Sequence, residues 1–177
     1  MGRRAGSQLI GIALLMLVFV ASAPTKRAMS AEKSVRGSRL YFAYGSNLDE
    51  QQMEERCFTA AIYGLAYIEG YQFVINGRGV ASISEKPQGI VEGVLWTITP
   101  SDERLLDWYE GVPSGYYMKD CLMVTDKTSG GMVEALVYIS TDSDLGQPRP
   151  GYLERIIRAA EHHGLSESYV RALKGWK

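Results

Sequence analysis

The spacing of apolar positions changes several times along the chain, and each change marks an element. Leu9 to Val20 is an almost unbroken apolar run of about 12 residues, preceded by Arg3 and Arg4 and followed by Ala21-Ser22-Ala23. Residues 31–38 are polar and aperiodic and read as a linker. From Arg39 an aromatic-rich run predicts a strand to Tyr44, ended by Gly45-Ser46-Asn47. Asp49 to Cys57 is charged and rich in helix formers, with Asn47 as the expected N-cap and Glu50 as its capping-box partner. Six strand-like runs are then expected over Ala61–Ile68, Tyr71–Ile75, Val80–Ser84, Ile90–Ile98, Tyr116–Thr125 and Val133–Ile139. Gly70, Gly77-Arg78-Gly79, Pro87-Gln88-Gly89 and Ser129-Gly130-Gly131 punctuate them as turns. A helix from Pro100 to about Tyr109 sits among them, with Thr99 as cap, Pro100 at the first position and Asp102 as reciprocal carboxylate. Two helices close the chain. The first carries Leu153, Ile156, Ile157 and Ala160 on one face and stops at Gly164; the second starts at Ser166 and turns Tyr169, Val170 and Leu173 inward. Strands in the middle and helices around them predict an α+β domain: a small curved mixed sheet or barrel flanked by helices.

Length and composition agree with one globular domain. The 177 residues are 46% hydrophobic and 22% charged, long enough to bury a core. The net charge of -1 hides an asymmetry. Of the 19 basic and 20 acidic residues, six basic and one acidic fall within 1–38, leaving 13 and 19 beyond. An acidic domain is a poor fit to a phosphate backbone, so a nucleic-acid partner is not expected. The basic, apolar start has the form of a secretory leader and is too short to span a bilayer core comfortably. Ala21-Ser22-Ala23 and Ala28-Met29-Ser30 are two candidate cleavage sites. The expected division is therefore a signal peptide or short anchor over 1–30, a linker over 31–38 and the domain over 39–177. The protein is then exported, or membrane-anchored if the segment stays uncleaved, or cytoplasmic if Met29 is the true start. Two cysteines, Cys57 and Cys121, do not make a disulfide framework, and two separate thiols are the expected state.

Chemistry concentrates in two short segments. A strand turning sharply into a helix at Tyr44-Gly45-Ser46-Asn47 leaves backbone N–H groups without helical partners, a setting that suits a carboxylate or a developing oxyanion. Gly45 would allow close approach to the backbone. A plain turn is the competing reading, since these are common turn residues. Glu110 stands at the C-terminal end of the Thr99 helix, before Gly111. A solvated glutamate is the bland reading there. Trp108, Tyr109, Tyr116 and Tyr117 surround it in sequence, however, and their apolar bodies would raise its pKa toward the range useful for proton transfer. His162 and His163, adjacent on one helix, cannot share a metal and read as surface residues compensating the helix dipole. There is no Cys/His cluster of metal spacing and no Gly-x-Ser-x-Gly nucleophile motif.

Tyr41-Phe42-Ala43-Tyr44-Gly45-Ser46-Asn47-Leu48 resembles the signature of the γ-glutamylcyclotransferase family. Glu110-Gly111-Val112-Pro113-Ser114-Gly115-Tyr116-Tyr117 is similar to that family's Glu-Gly-Val-x-Ser-Gly-x-Tyr stretch. Pro148-Arg149-Pro150-Gly151-Tyr152 and Gly164–Tyr169 resemble its later segments. The resemblance implies that Glu110 is the catalytic acid/base. It also implies that Tyr41, Phe42, Ala43, Tyr44, Gly45, Ser46, Asn47 and Tyr152 bind the substrate, a small γ-glutamyl compound, without metal or cofactor. The implied reaction releases 5-oxoproline and a free amino acid. A γ-glutamylamine cyclotransferase and a non-catalytic γ-glutamyl binder are the alternatives. The oligomeric state stays open, a homodimer included.

Overall fold

The structure, a computed structural model, describes Gly2 and residues 37–176. The expected leader and most of the expected linker lie outside the described residues. Among the described residues no helix is long and apolar enough to cross a membrane.

Five strands close into a barrel in the order β1-β3-β2-β4-β5. They are β1 (Arg39–Ala43), β2 (Ala61–Ile75), β3 (Ala81–Ile98), β4 (Tyr117–Asp126) and β5 (Met132–Ser140). Neighbours are antiparallel except where β5 returns beside β1, in parallel, through Tyr41 opposite Leu136. The mixed barrel expected from the sequence is thus present, with fewer and longer strands. Tyr71–Ile75 continues β2, and Val80–Ser84 belongs with Ile90–Ile98 in β3. Gly70 (φ +82°) and Gln88 (φ +64°) bend this hairpin without ending it. The register passes from Glu69 opposite Ile90 to Tyr71 opposite Glu85, so Lys86 to Gly89 bulge out across from Gly70. A bulge re-aims a strand, whereas the same residues in sequence read as a stop.

The hairpin tip is a tight turn, as expected. The Asn76 side-chain oxygen accepts from Arg78 N at 3.0 Å and Val80 N at 3.2 Å, and Gly79 N donates to Asn76 O at 2.8 Å. Gly79 has φ +76°, and a Cβ there would stand 2.8 Å from the Gln147 carbonyl. Only glycine fits.

Among the described residues four α-helices cover the barrel: α1 (Glu50–Arg56), α2 (Pro100–Tyr109), α3 (Tyr152–His162) and α4 (Glu167–Lys174). Because β3 is buried from Val91 to Trp96 on both faces, its apolar run is nearly continuous rather than alternating. The Thr99/Asp102 capping box and the Ser166 cap form as expected. The α1 cap is Asp49, whose carboxylate accepts from Gln52 N at 2.8 Å, and not Asn47. Two side chains that can cap stand two residues apart, and the nearer one wins. Asn47 lies in a 3₁₀ turn, Ser46–Leu48, before the helix. Gly164 ends α3 in the left-handed region, with Leu165 N donating to Ala160 O at 2.9 Å. His163 departs from the surface role expected for it. Its side chain is nearly buried, and Nε2 lies 2.8 Å from the Leu48 carbonyl, tying α3 to the 3₁₀ turn. Cys57 is buried and Cys121 exposed, both as free thiols, and burial pushes the Cys57 thiol up to about 12.

Candidate active site

The two segments singled out by the sequence meet at one end of the barrel. β1 delivers Tyr41 and Tyr44, the chain reverses at Gly45, and the Ser46–Leu48 turn points Asn47 inward. α2 is held at its start by its capping box and along its length by Lys119, which reaches Glu103 (2.8 Å) and Asp107 (2.9 Å). Tyr138 also donates to Asp107, at 2.8 Å. Its last carbonyl turn ends on Glu110, and Gly111 (φ +67°) then swings the backbone away. A Cβ on Gly111 would lie 2.6 Å from the Tyr116 ring, so the turn requires glycine.

Asn47 is the hub. Its amide nitrogen donates to the Tyr41 hydroxyl at 2.8 Å and to Glu110 Oε1 at 2.9 Å. Its oxygen accepts from Gln52 at 2.8 Å and from Arg56 at 2.9 Å. Arg56 also reaches Glu110 Oε1 at 3.2 Å and lies over the Tyr109 ring. Both protein donors therefore converge on Oε1, and Oε2 has none among the described residues. The Glu110 side chain is only 15% exposed. Burial raises its pKa, the Arg56 charge and the Asn47 hydrogen bond pull it back, and the balance stays above the ordinary carboxylate range.

Around this carboxylate lies a polar cavity of about 30 Å³, lined by Tyr41, Tyr44, Gly45, Ser46, Asn47, Ala81, Glu110, Tyr117, Tyr138 and Tyr152. It adjoins a groove of about 660 Å³, with which it shares Ser46, Glu110, Tyr117 and Tyr152. The phenols are held protonated by burial. Tyr44 donates to the Tyr138 carbonyl and Tyr117 to that of Ala81. Tyr152 accepts from Ala81 N at 3.2 Å and is also hydrogen-bonded with Ser46, while Tyr41 accepts from Asn47 and keeps its own O–H to donate. The first bond inside the 3₁₀ turn is Leu48 N to Gly45 O, at 3.0 Å. The Ser46 and Asn47 N–H groups consequently take no partner within that turn. A Cβ on Gly45 would stand 3.6 Å from the Tyr152 hydroxyl and 3.2 Å from Ala81, inside the cavity.

Residues 90–173 match the model of the AIG2-like family. The chain is 31% identical over 161 residues to human γ-glutamylcyclotransferase, covering 83% of this chain and 85% of that one. It is 32% identical over 147 residues to the bovine γ-glutamylcyclotransferase, with 77% of each covered. The chain belongs to the γ-glutamylcyclotransferase family. It is an enzyme of that kind, and its fold is the family's. A solved γ-glutamyl cyclotransferase structure superposes with a TM-score of 0.74 at 30% identity, covering 79% of this chain and 88% of that one.

Of the residues expected in this γ-glutamylcyclotransferase-family site, Tyr41, Tyr44, Gly45, Ser46, Asn47, Glu110 and Tyr152 come together around the cavity. Phe42 and Ala43 do not line it. Phe42 is wholly buried beside Tyr44, and Gly93 is packed so close that a Cβ there would sit 2.7 Å from the Phe42 ring. The expected shield of Glu110 is also different. Trp108 is 75% exposed, while Tyr109 and Tyr116, at 50% and 54%, form walls of the groove. Of those four aromatics only Tyr117 borders the cavity, whose other aromatic lining is Tyr41, Tyr44, Tyr138 and Tyr152. Gln52 and Arg56 were missed. The one signal in the sequence was their spacing of four, which places both on one face of α1.

Proposed function

We propose that the chain cyclises a γ-glutamyl amino acid or γ-glutamyl peptide, releasing 5-oxoproline and the free amino acid or peptide, with Glu110 as both base and acid. The observation that carries this reading is the state of Glu110. It is a buried carboxylate with a raised pKa, one oxygen fixed by Asn47 and Arg56 and the other unengaged, at the junction of a polar cavity and an open groove.

In this mechanism the substrate's α-ammonium gives a proton to Glu110 Oε2. The neutral amine attacks the side-chain carbonyl carbon, closing a five-membered ring and forming a tetrahedral oxyanion. Collapse breaks the original C–N bond as Glu110 returns its proton to the departing nitrogen, and the second proton shed by the ring nitrogen passes by the same carboxylate to the released amine, which leaves as an ammonium. Ring closure within one molecule supplies the proximity, leaving the protein to hold a reactive conformer and carry protons from the attacking to the departing nitrogen. The Asn47 N–H, without a partner inside the 3₁₀ turn, suits the carboxylate or the oxyanion. Tyr41 and Tyr152 have O–H groups to orient the zwitterion. No step calls for a metal or cofactor.

The test is 5-oxoproline release by the purified protein from γ-glutamyl-alanine, glutathione and ε-(γ-glutamyl)-lysine. Turnover of the first or second is expected. Turnover of the lysine compound alone would assign a γ-glutamylamine cyclotransferase, and saturable binding with no release from any of the three would refute catalysis.

A further inference from the structure

The groove beside the cavity carries a charge imbalance that cyclisation does not use. Arg56, Arg78, Arg149 and Arg155 line it, and its one carboxylate, Glu110, already pairs with Arg56 at 3.2 Å. Arg155 donates to Gln52 at 2.8 Å. Among the described residues none of Arg78, Arg149 and Arg155 forms an ion pair with a carboxylate. Gathering like charges without counter-charge is costly unless an anion completes the set.

Arg78 and Arg149 are moreover fixed in place. Arg78 donates to the Tyr116 carbonyl at 2.6 Å and to Ser140 Oγ at 2.9 Å, with its guanidinium 5.0 Å above the Tyr116 ring. Arg149 donates through Nε to the Arg78 carbonyl at 2.8 Å, and its backbone N donates to the Gly79 carbonyl at 3.0 Å. The β2–β3 hairpin tip and the 147–149 segment are thereby docked backbone to backbone, the contact that excludes a Cβ at Gly79. Two planar forks held this way have little freedom left to lose on meeting a carboxylate. Their position is also defined. Both act on the Tyr117 hydroxyl, holding its pKa below where burial alone would put it, and Tyr117 borders the Glu110 cavity as well as the groove.

We propose that Arg78 and Arg149 form a subsite for a carboxylate on the departing part of the substrate. The preferred class is then γ-glutamyl amino acids and peptides whose leaving portion keeps a free carboxylate, over γ-glutamylamines with a neutral or cationic leaving portion. This rests on the cyclisation reading above and adds the residues that select among its substrates.

The experiment compares kcat/KM for γ-glutamyl-alanine and γ-glutamyl-alaninamide, which differ only in that carboxylate. It uses the parent and the variants Arg78→Gln and Arg149→Gln, with melting curves on each. The parent should prefer the acid by at least about tenfold, chiefly through KM, the worth of one charge-assisted hydrogen bond. In each variant that ratio should fall toward one, and Arg78→Lys should retain part of it. Arg149 is exposed, so its variant keeps the test sound if Arg78→Gln fails to fold. Equal parental kcat/KM on the two compounds, or an unchanged ratio in well-folded Arg149→Gln, would overturn the subsite and leave cyclisation standing. Release of 5-oxoproline from neither compound would overturn both.

Discussion

Asn47 offers the sharpest test of how the site is held, because its carboxamide joins four partners from three elements. In Asn47→Ala two of them keep an alternative: Gln52 retains Ser46 at 2.8 Å and Arg56 retains Glu110 at 3.2 Å. The Tyr41 hydroxyl loses its donor and Glu110 loses one of two. A hydrogen bond to a neutral group is worth about 0.5–1.5 kcal/mol and one to a charged group about 1.5–3 kcal/mol, so Asn47→Ala should cost about 2–4.5 kcal/mol. For a domain of this size that lowers Tm by roughly 6–12 °C. Asn47→Asp keeps the shape and the acceptor for Gln52 and Arg56. It sets a second carboxylate against Glu110 Oε1, where the present separation is 2.9 Å. Two carboxylates so close favour a shared proton, so the folded pair binds protons more tightly than the unfolded chain. Its stability is then best below the unfolded carboxylate range and falls as pH rises through the folded value. Thermal and urea denaturation followed by circular dichroism at about pH 5 and about pH 7 read both effects. The penalty of Asn47→Asp should grow between the two pH values, and that of Asn47→Ala should grow less. A Tm for Asn47→Ala within about 1 °C of the parent, or the same pH slope for Asn47→Asp and the parent, would refute the hub.

Two further outcomes follow from the same geometry. A general base must be ionised, so kcat/KM should rise with pH through the raised Glu110 pKa, placing the acid limb above the ordinary carboxylate range. Arg56→Gln removes the main charge stabilising the carboxylate and should move that limb higher still. A limb within the ordinary range, unmoved by the substitution, would contradict the assignment. Tyr152→Phe removes the acceptor of Ala81 N and a hydroxyl on the cavity wall. It should cost about 1 kcal/mol in stability and about 1–2 kcal/mol in kcat/KM. Unchanged kcat/KM would make Tyr152 ordinary packing.

The parts of this molecule that the sequence made legible are those set by local chemistry. The Thr99 box, the Ser166 cap, the Gly164 stop and the Asn76–Val80 turn each depend on residues within a few positions of one another. The errors share a cause as well. Gly70 and Pro87-Gln88-Gly89 read as strand ends because the pairing that makes them facing bulges is visible only between strands. Asn47 read as a helix cap because its true partners, Tyr41, Arg56 and Glu110, are brought to it by three different elements. Trp108, Tyr109 and Tyr116 are neighbours of Glu110 in sequence, but the first two stand exposed on the last turn of α2 and the left-handed Gly111 turn carries Tyr116 to the groove. Arg78 and Arg149 are 71 positions apart, and no periodicity joins them.

Glu110→Gln tests the central claim most directly. The amide keeps the size of the side chain and much of its hydrogen bonding but cannot take or return a proton. At neutral pH it also removes a buried charge that costs stability above its raised pKa, while leaving Arg56 without its carboxylate, so melting should stay close to the parent. Melting, γ-glutamyl-alanine binding and 5-oxoproline release should be measured on one preparation. The account predicts a folded variant that still binds and whose release is slower by at least about 10²–10⁴-fold. A variant that melts and binds like the parent and releases 5-oxoproline at a comparable rate would contradict it.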